Sequence, residues 1–379
     1  MRGYQMKILI VMDGFFPGQK YGGPPVSVDN FCSLLTKEAE CFIVAKNHDY
    51  GISIPYKNVQ VKVWIKRDNC YVKYVEDQDY RKNEFENTIL EIKPDILYLQ
   101  SLFQSCVLSC LELAKKYGIS VMLAPRGELC AGAFKKKYKK IPYIAYLRAR
   151  KLVRDILYQS TSEEETAAIK KYLRADASKI YFLTNIPSIP KKQYHCEPKK
   201  SGEAKFVFVS RIHPKKNLLS AIDYMKDVHG KVVFDIYGPI EDEEYWKQCN
   251  QKICELPQNV TVKYCGLVSH EKVHEIFSLY HAFLFPTFSE NYGHVIAEAL
   301  SVGTAVILSD QTPWSDVNEA KAGWANPLEN RKKFVEAIQS VVDQNADDHK
   351  KQIKAIEEYI EKKINLKRIQ EEYRKAFDL

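Results

Sequence analysis

Short runs rich in β-branched and aromatic residues, each bounded by turn residues and followed by a longer segment with helical spacing, fall in two series along the chain. The first series is 7–12, 41–45, 59–65, 96–100, 120–124, 156–159 and 180–183; the second is 206–210, 232–237, 260–264, 282–285 and 305–308. Strands of a parallel sheet read this way, because helical crossovers cover both faces and leave no polar side for alternation. The pattern predicts an α/β chain with two parallel sheets, and 379 residues suffice for two such domains. Between the series, 185–204 carries Pro187, Pro190 and Pro198 with little apolar periodicity, and reads as a linker. The tail from His349, with Ile353, Ile356, Ile360, Ile364, Ile369 and Phe377 at near-helical intervals, reads as one or two amphipathic helices.

Hydrophobic residues at 45% and charged residues at 27% exclude disordered and fibrous classes. The early apolar run 8–12 is stopped by Asp13, far short of the roughly 20 residues of a membrane span, so a cytoplasmic location is expected. Ten cysteines without a CxxC pair are expected as reduced, mostly buried thiols. The net charge of +8 is concentrated: residues 101–200 hold 20 basic and 8 acidic side chains, a local excess of +12. Its densest point is Lys135, Lys136, Lys137, Lys139 and Lys140, followed by Arg148, Arg150, Lys151 and Arg154 among apolar residues. Two readings stand: a solvated helix face, or peripheral contact of 134–154 with anionic lipid headgroups or a lipid-phosphate substrate at the inner membrane face. Nucleic acid is not an expected partner, since no aromatic-interleaved platform or groove-reading motif accompanies the charge.

The most informative stretch is FSENYGHVIAEAL, 288–300, which follows the apolar run AFLFPT and turns through Gly293 into a helical pattern. In a parallel sheet, ligands bind beyond the carboxyl ends of strands, so this junction aims backbone N–H groups at an anion such as phosphate. Glu290 and Glu298 can face the same crevice, and carboxylates beside a phosphate site are suited to hydroxyl donors, which points to phosphates flanked by sugars. A second stretch, FVFVSRIHPKKNL, puts Arg211, Lys215 and Lys216 after another apolar strand, where cations would neutralise a diphosphate.

Together these stretches resemble the retaining glycosyltransferases of the GT-B fold, specifically glycosyltransferase family 4. That family carries two Glu separated by seven residues at this junction, as Glu290 and Glu298 are, and an Arg and a Lys after the first strand of its second domain, as Arg211 and Lys216 are. Gly22 and Gly23 fall where the family has a glycine loop over the donor phosphates, and Gly238 where it has a glycine-bearing loop. The resemblance is strong over 205–325 and fainter elsewhere. It implies two Rossmann-like domains facing each other across a cleft: 1–190, with a C-terminal helix at about 363–379 returning to it, for the acceptor, and 200–362 for the donor.

The donor implied is a nucleotide-diphosphate sugar of UDP or GDP type, and the acceptor a glycan or lipid-linked oligosaccharide, as in assembly of bacterial lipopolysaccharide or capsule. The roles implied are catalytic for Glu290, Arg211 and Lys216, and donor-binding for Glu298, Asn291, Tyr292, Gly293, His294, Gly22, Gly23 and Gly238, with no cofactor and no metal. One position departs from the family: where many members place a His, SVMLAPRGEL has Arg126, which cannot carry a proton at neutral pH and would hold a phosphate or anionic sugar, or form a structural ion pair. A GT-B sugar-nucleotide epimerase and a non-catalytic sugar-nucleotide-binding protein are the alternatives; a dinucleotide dehydrogenase would need GxGxxG after the first strand, and DGFFPG lacks it.

Two further patterns are read as decoys. His270, Glu271 and His274 spell HEKVH, a zinc-peptidase spacing, but the flanking Lys272 and Glu275 suggest an exposed surface helix. Asp77, Gln78 and Asp79 form a DxD in a charged stretch with no strand expected before it, and are read as chance.

Overall fold

A computed structural model of the chain describes residues 5–18, 20–130, 134, 137–188, 190, 192–194 and 198–379. It divides into two compact units, one running to Ile186 and including Leu366–Leu379, the other Pro187–Asn365.

The first unit is built on eight strands: β1 (Met6–Val11), β2 (Ala39–Lys46), β3 (Trp64–Lys66), β4 (Tyr71–Val75), β5 (Ile96–Leu99), β6 (Ser120–Leu123), β7 (Leu157–Ser160) and β8 (Ile180–Phe182). Their order is β3-β4-β2-β1-β5-β6-β7-β8, parallel except for β3 against β4. The expected strand at 59–65 is corrected to the short edge strand β3, and its partner β4 is one the pattern does not flag. Lys73 in the middle of YVKYV hides it: a buried charge breaks the apolar run. The charge is tolerated because Lys73 Nζ sits 2.7 Å from Glu91 Oε2 and 4.8 Å from the centre of the Trp64 ring.

The second unit carries β9 (Glu203–Val209), β10 (Lys231–Tyr237), β11 (Val260–Gly266), β12 (Ala282–Phe285), β13 (Ala305–Ser309) and β14 (Gly323–Asn326), in the all-parallel order β11-β10-β9-β12-β13-β14. β14, GWAN, is too short and too poor in β-branched residues to announce itself. The strands β9, β12 and β13 supply Phe206, Phe208, Phe283, Phe285 and Ile307 to one core, all at 0% exposure. Strand order reverses between β1 and β5 in the first sheet and between β9 and β12 in the second. At such a reversal the crossover helices leave in opposite directions and open a crevice at the carboxyl ends of the strands.

The last helix, Leu366–Phe377, belongs to the first unit because of one apolar stripe: Ile369, Tyr373, Ala376 and Phe377 are buried. Phe377 packs 5.0 Å from Phe31 and 5.1 Å from Tyr98, ring centre to ring centre. Polar contacts set its register, with Gln159 Nε2 donating to the Tyr373 hydroxyl at 2.9 Å and that hydroxyl donating to the Thr184 carbonyl at 3.0 Å. Among the described residues no helix is long and apolar enough to cross a membrane. Cys32, Cys41, Cys70, Cys106, Cys110 and Cys249 are free and buried, and Cys254 is exposed; Cys196 lies outside the described residues.

Candidate functional site

At the carboxyl ends of β9 and β12, two loops are laced together. After β9 the chain makes a 3-10 turn, Pro214–Lys216, capped by His213, whose Nδ1 accepts from the Lys215 N–H at 3.1 Å. Asn217 then adopts φ +58°, which reverses the backbone into the helix Leu218–Tyr224. Its side-chain amide donates to the Pro286 carbonyl at 2.9 Å, and the Lys215 carbonyl accepts from Phe288 N–H at 3.0 Å and from the Thr287 hydroxyl at 3.2 Å. This lacing brings together two residues 74 positions apart: Lys216 Nζ forms an ion pair with Glu290 Oε1. Both side chains are largely buried, and the Lys216 ammonium also lies 5.4 Å from the Phe285 ring centre. Burial pushes Lys216 below its ordinary pKa; the Glu290 carboxylate opposes that, and Arg211 and Lys215 add like-charge repulsion.

The loop continues to Gly293, at φ +75°, which caps the helix His294–Leu300. Trp314, 2% exposed, pins this loop by donating its indole N–H to the Tyr292 carbonyl at 2.6 Å, while the Glu290 N–H donates to the Gln311 carbonyl at 3.2 Å. The Tyr292 ring lies 4.8 Å from the His294 ring. Burial and the nearby Glu298 charge raise the Tyr292 phenol well above its usual range. Glu298 is itself buried in the second turn of the helix, and burial pushes its carboxyl up to about 7. His270 Nδ1 stands 3.6 Å from Glu298 Oε1.

Arg211, half exposed at the end of β9, donates to Glu241 Oε1 at 2.6 Å. Gly238 follows β10 with φ +135°, and a Cβ there would come within 1.9 Å of the Ser210 carbonyl oxygen. Only glycine lets the β9 and β10 exits close on each other in this way. The structure therefore gathers Arg211, Lys216, Gly238, Glu290, Asn291, Tyr292, Gly293, His294 and Glu298 into the second unit. Gly22, Gly23 and Arg126 belong to the first. Gly22, at φ +73°, precedes the helix Gly23–Leu34, whose first turn takes Pro24 where a missing N–H costs nothing. Arg126 follows β6 with φ +56°; its Nε donates to Gln100 Oε1 at 3.0 Å, and Nη1 and Nη2 donate to Asn185 Oδ1 and Gln100 Oε1. Its partners are amide oxygens, not the carboxylate an ion pair would need.

Two expectations are corrected. The HEKVH segment is not a plain surface helix: Val273 and His274 are buried, and burial lowers the His274 pKa against the pull of the Ser188 backbone. Nor does the DxD stand without a strand before it, since β4 ends at Val75. Asp77 pairs with Lys46 at 3.0 Å and His48 at 2.9 Å, and Asp79 with Lys62 at 2.8 Å, so both carboxylates are occupied by cations of their own unit. Gln311, Trp314 and His270 are site neighbours that sequence reasoning missed. His270 lies in a motif that reads as an exposed helix in preference to a zinc site, and neither reading points to Glu298.

Residues 191–363 match the family model described as glycosyl transferases group 1. No curated protein sequence matches the chain. Among solved structures, the chain is similar to HepE from Anabaena, solved with UDP and glucose, at a TM-score of 0.71 and 14% identity, covering 99% of this chain and 100% of that one. It is similar to a sucrose-phosphate synthase from Thermosynechococcus elongatus at a TM-score of 0.68 and 13% identity, over 99% of this chain and 100% of that one. It is also similar to the lipopolysaccharide outer core galactosyltransferase WaaB, at 0.60 and 18%, over 98% and 99% of the two chains. At such identities the likeness establishes the fold, GT-B, with two parallel-sheet α/β units.

Proposed function

We propose that this chain, whose residues 191–363 match the glycosyl transferases group 1 model, is a glycosyltransferase that moves a sugar from a nucleotide-diphosphate donor to a glycan or lipid-linked acceptor, retaining the anomeric configuration. The observation that carries this reading is the Lys216–Glu290 pair at the strand-order reversal of the second sheet, inside the family-matched region. A buried ammonium and a buried carboxylate side by side suit a ligand that offers an anion to one and hydroxyls to the other. Lys216 and Arg211 neutralise the charge gathering on the leaving diphosphate, with amides of 291–294 assisting. Glu290 orients the sugar through its hydroxyls, and Glu298 accepts from the ribose. The acceptor oxygen bonds to the anomeric carbon on the face from which the diphosphate departs, and the acceptor proton passes to the departing phosphate oxygen. HepE, solved with UDP and glucose, supports a UDP-type donor.

The acceptor side rests on the helix Lys137–Ala149 in the first unit. Ile144 and Leu147 face inward, while Tyr138, Ile141 and Tyr146 stand exposed beside Lys139, Arg150 and Lys151. Lys135, Lys136 and the side chain of Lys137 lie outside the described residues. Exposed apolar groups interleaved with cations favour contact with an anionic lipid surface, and so a lipid-linked acceptor of surface-polysaccharide assembly. The test is a transfer assay with UDP- and GDP-sugars, with and without acceptor and in EDTA. Transfer without metal that disappears in Glu290→Ala supports the reading. Sugar epimerised with donor alone, or activity surviving Glu290→Ala, refutes it.

A further inference from the structure

The roles proposed above make no use of HEKVH, yet the segment divides in an informative way. It begins just beyond the carboxyl end of β11 with the 3-10 turn His270–Lys272, then enters the helix Val273–Ser278, which packs on the helix His294–Leu300. Glu271, Lys272 and Glu275 are exposed and His274 is buried, while His270 turns toward Glu298 with 19% of its side chain accessible. Glu298 is faced by His270 from that turn and by Tyr292 from the loop before its own helix.

A carboxyl buried this deeply is driven toward its neutral form, and a neutral carboxyl gives up part of its accepting capacity to become a donor. Ribose 2′ and 3′ hydroxyls call for the acceptor form. A cation within about 4 Å favours that form, and His270 Nδ1 stands 3.6 Å from the Glu298 carboxylate. At 3.6 Å the contact is too long for a hydrogen bond, which leaves the carboxylate lone pairs to the ligand.

We propose that His270 is a positioning residue: as an imidazolium it holds the Glu298 carboxylate ionised for the ribose hydroxyls of a bound nucleoside diphosphate. The inference rests on the donor-site reading given above and adds to it a residue that acts through Glu298.

Calorimetric titration of the full chain with UDP, GDP and ADP, and with the 2′,3′-dideoxy analogue of whichever binds tightest, tests it in wild type, His270→Gln and Glu298→Gln. Wild type should prefer the ribose form by about 10- to 100-fold, the worth of a hydrogen bond to a charged acceptor. Glu298→Gln and His270→Gln should both lose most of that preference while binding the dideoxy analogue as wild type does, and His270→Arg, which keeps a cation, should restore part of it. If His270→Gln keeps the preference while Glu298→Gln loses it, His270 has no such role and the donor site stands. Equal weakening of both ligands by His270→Gln also overturns the proposal, since the residue then acts on base, phosphate or folding. Should Glu298→Gln retain the preference, or none of the nucleotides bind, the donor-site reading itself fails.

Discussion

Replacing Lys216 with alanine removes a cation that has two jobs in one place, and the two losses can be measured separately. In the resting protein its ammonium is the partner of Glu290, whose side chain is only 16% exposed. Breaking a buried pair by removing one member costs about 3–5 kcal/mol, because the survivor is left charged in a poor solvent. Here the residual exposure of Glu290 places the expected cost just below that range, about 2–3 kcal/mol. During transfer the same cation meets the diphosphate, and losing one positioned charge there costs about 3 kcal/mol of barrier, roughly a hundredfold in kcat. The double variant Lys216→Ala/Glu290→Ala separates these effects. With no orphan carboxylate its melting temperature should recover toward wild type, while its kcat should stay at or below that of the single variant. Thermal melting and initial transfer rates at saturating donor give both quantities. A Lys216→Ala protein that loses stability but keeps kcat within a factor of two would refute the catalytic role and leave the pair purely structural.

The remaining predictions concern charge and backbone. With its carboxyl pushed up to about 7 from an unfolded value near 4.5, Glu298 binds its proton more tightly in the folded state. Its contribution is then most favourable below pH 4.5 and is lost as pH rises to 7, amounting to about 3 kcal/mol above that. Glu298→Gln should therefore melt higher than wild type at pH 8 and no higher at pH 5, and a gain of the same size at both pH values would contradict this. The buried pair His281 and His349, 5.3 Å apart, titrates the opposite way, with His281 lowered to about 3, chiefly by burial and then by its neighbour's charge. His281 is neutral in the fold, so its contribution is intact above about 6.5 and falls below it by about 1.4 kcal/mol per pH unit. Urea midpoints at pH 7.5 and 5 should separate clearly in wild type and less in His281→Gln. Gly238→Ala should cost about 2–4 kcal/mol, since its Cβ meets the Ser210 carbonyl and its φ is one that L-residues resist. A melting temperature within a degree or two of wild type would show that the β10 exit relaxes more easily than the close approach implies.

The candidate site was legible because its chemistry is local in sequence. Glu290, Gly293 and Glu298 lie within one strand-loop-helix junction, and Arg211 and Lys216 within another, so two short stretches are enough to carry the resemblance to glycosyltransferase family 4 that marks them. The place of His270 was not legible for the converse reason: its nearest chemical neighbour in sequence is His274, but its neighbour in space is Glu298, on a different helix. Trp314 carries no motif, since its contribution is one indole hydrogen bond to a loop more than twenty residues away.

The sequence by itself determined the two α/β units, the apolar strands that build them and the residue types at the strand exits, because burial imposes those patterns one element at a time. Which exits become neighbours was decided only by strand order. β9 and β12 are far apart along the chain and adjacent in the sheet, and that adjacency joins Lys216 to Glu290. Tertiary packing also decided the fates of ionisable groups that composition cannot sort. Lys73 is buried because an ion pair and an aromatic face receive it, Arg126 is held by amides, and Glu298 is shifted by enclosure. The physical reason is the same each time: a charge answers to the dielectric and the partners around it in space, and neither is written in its place along the chain.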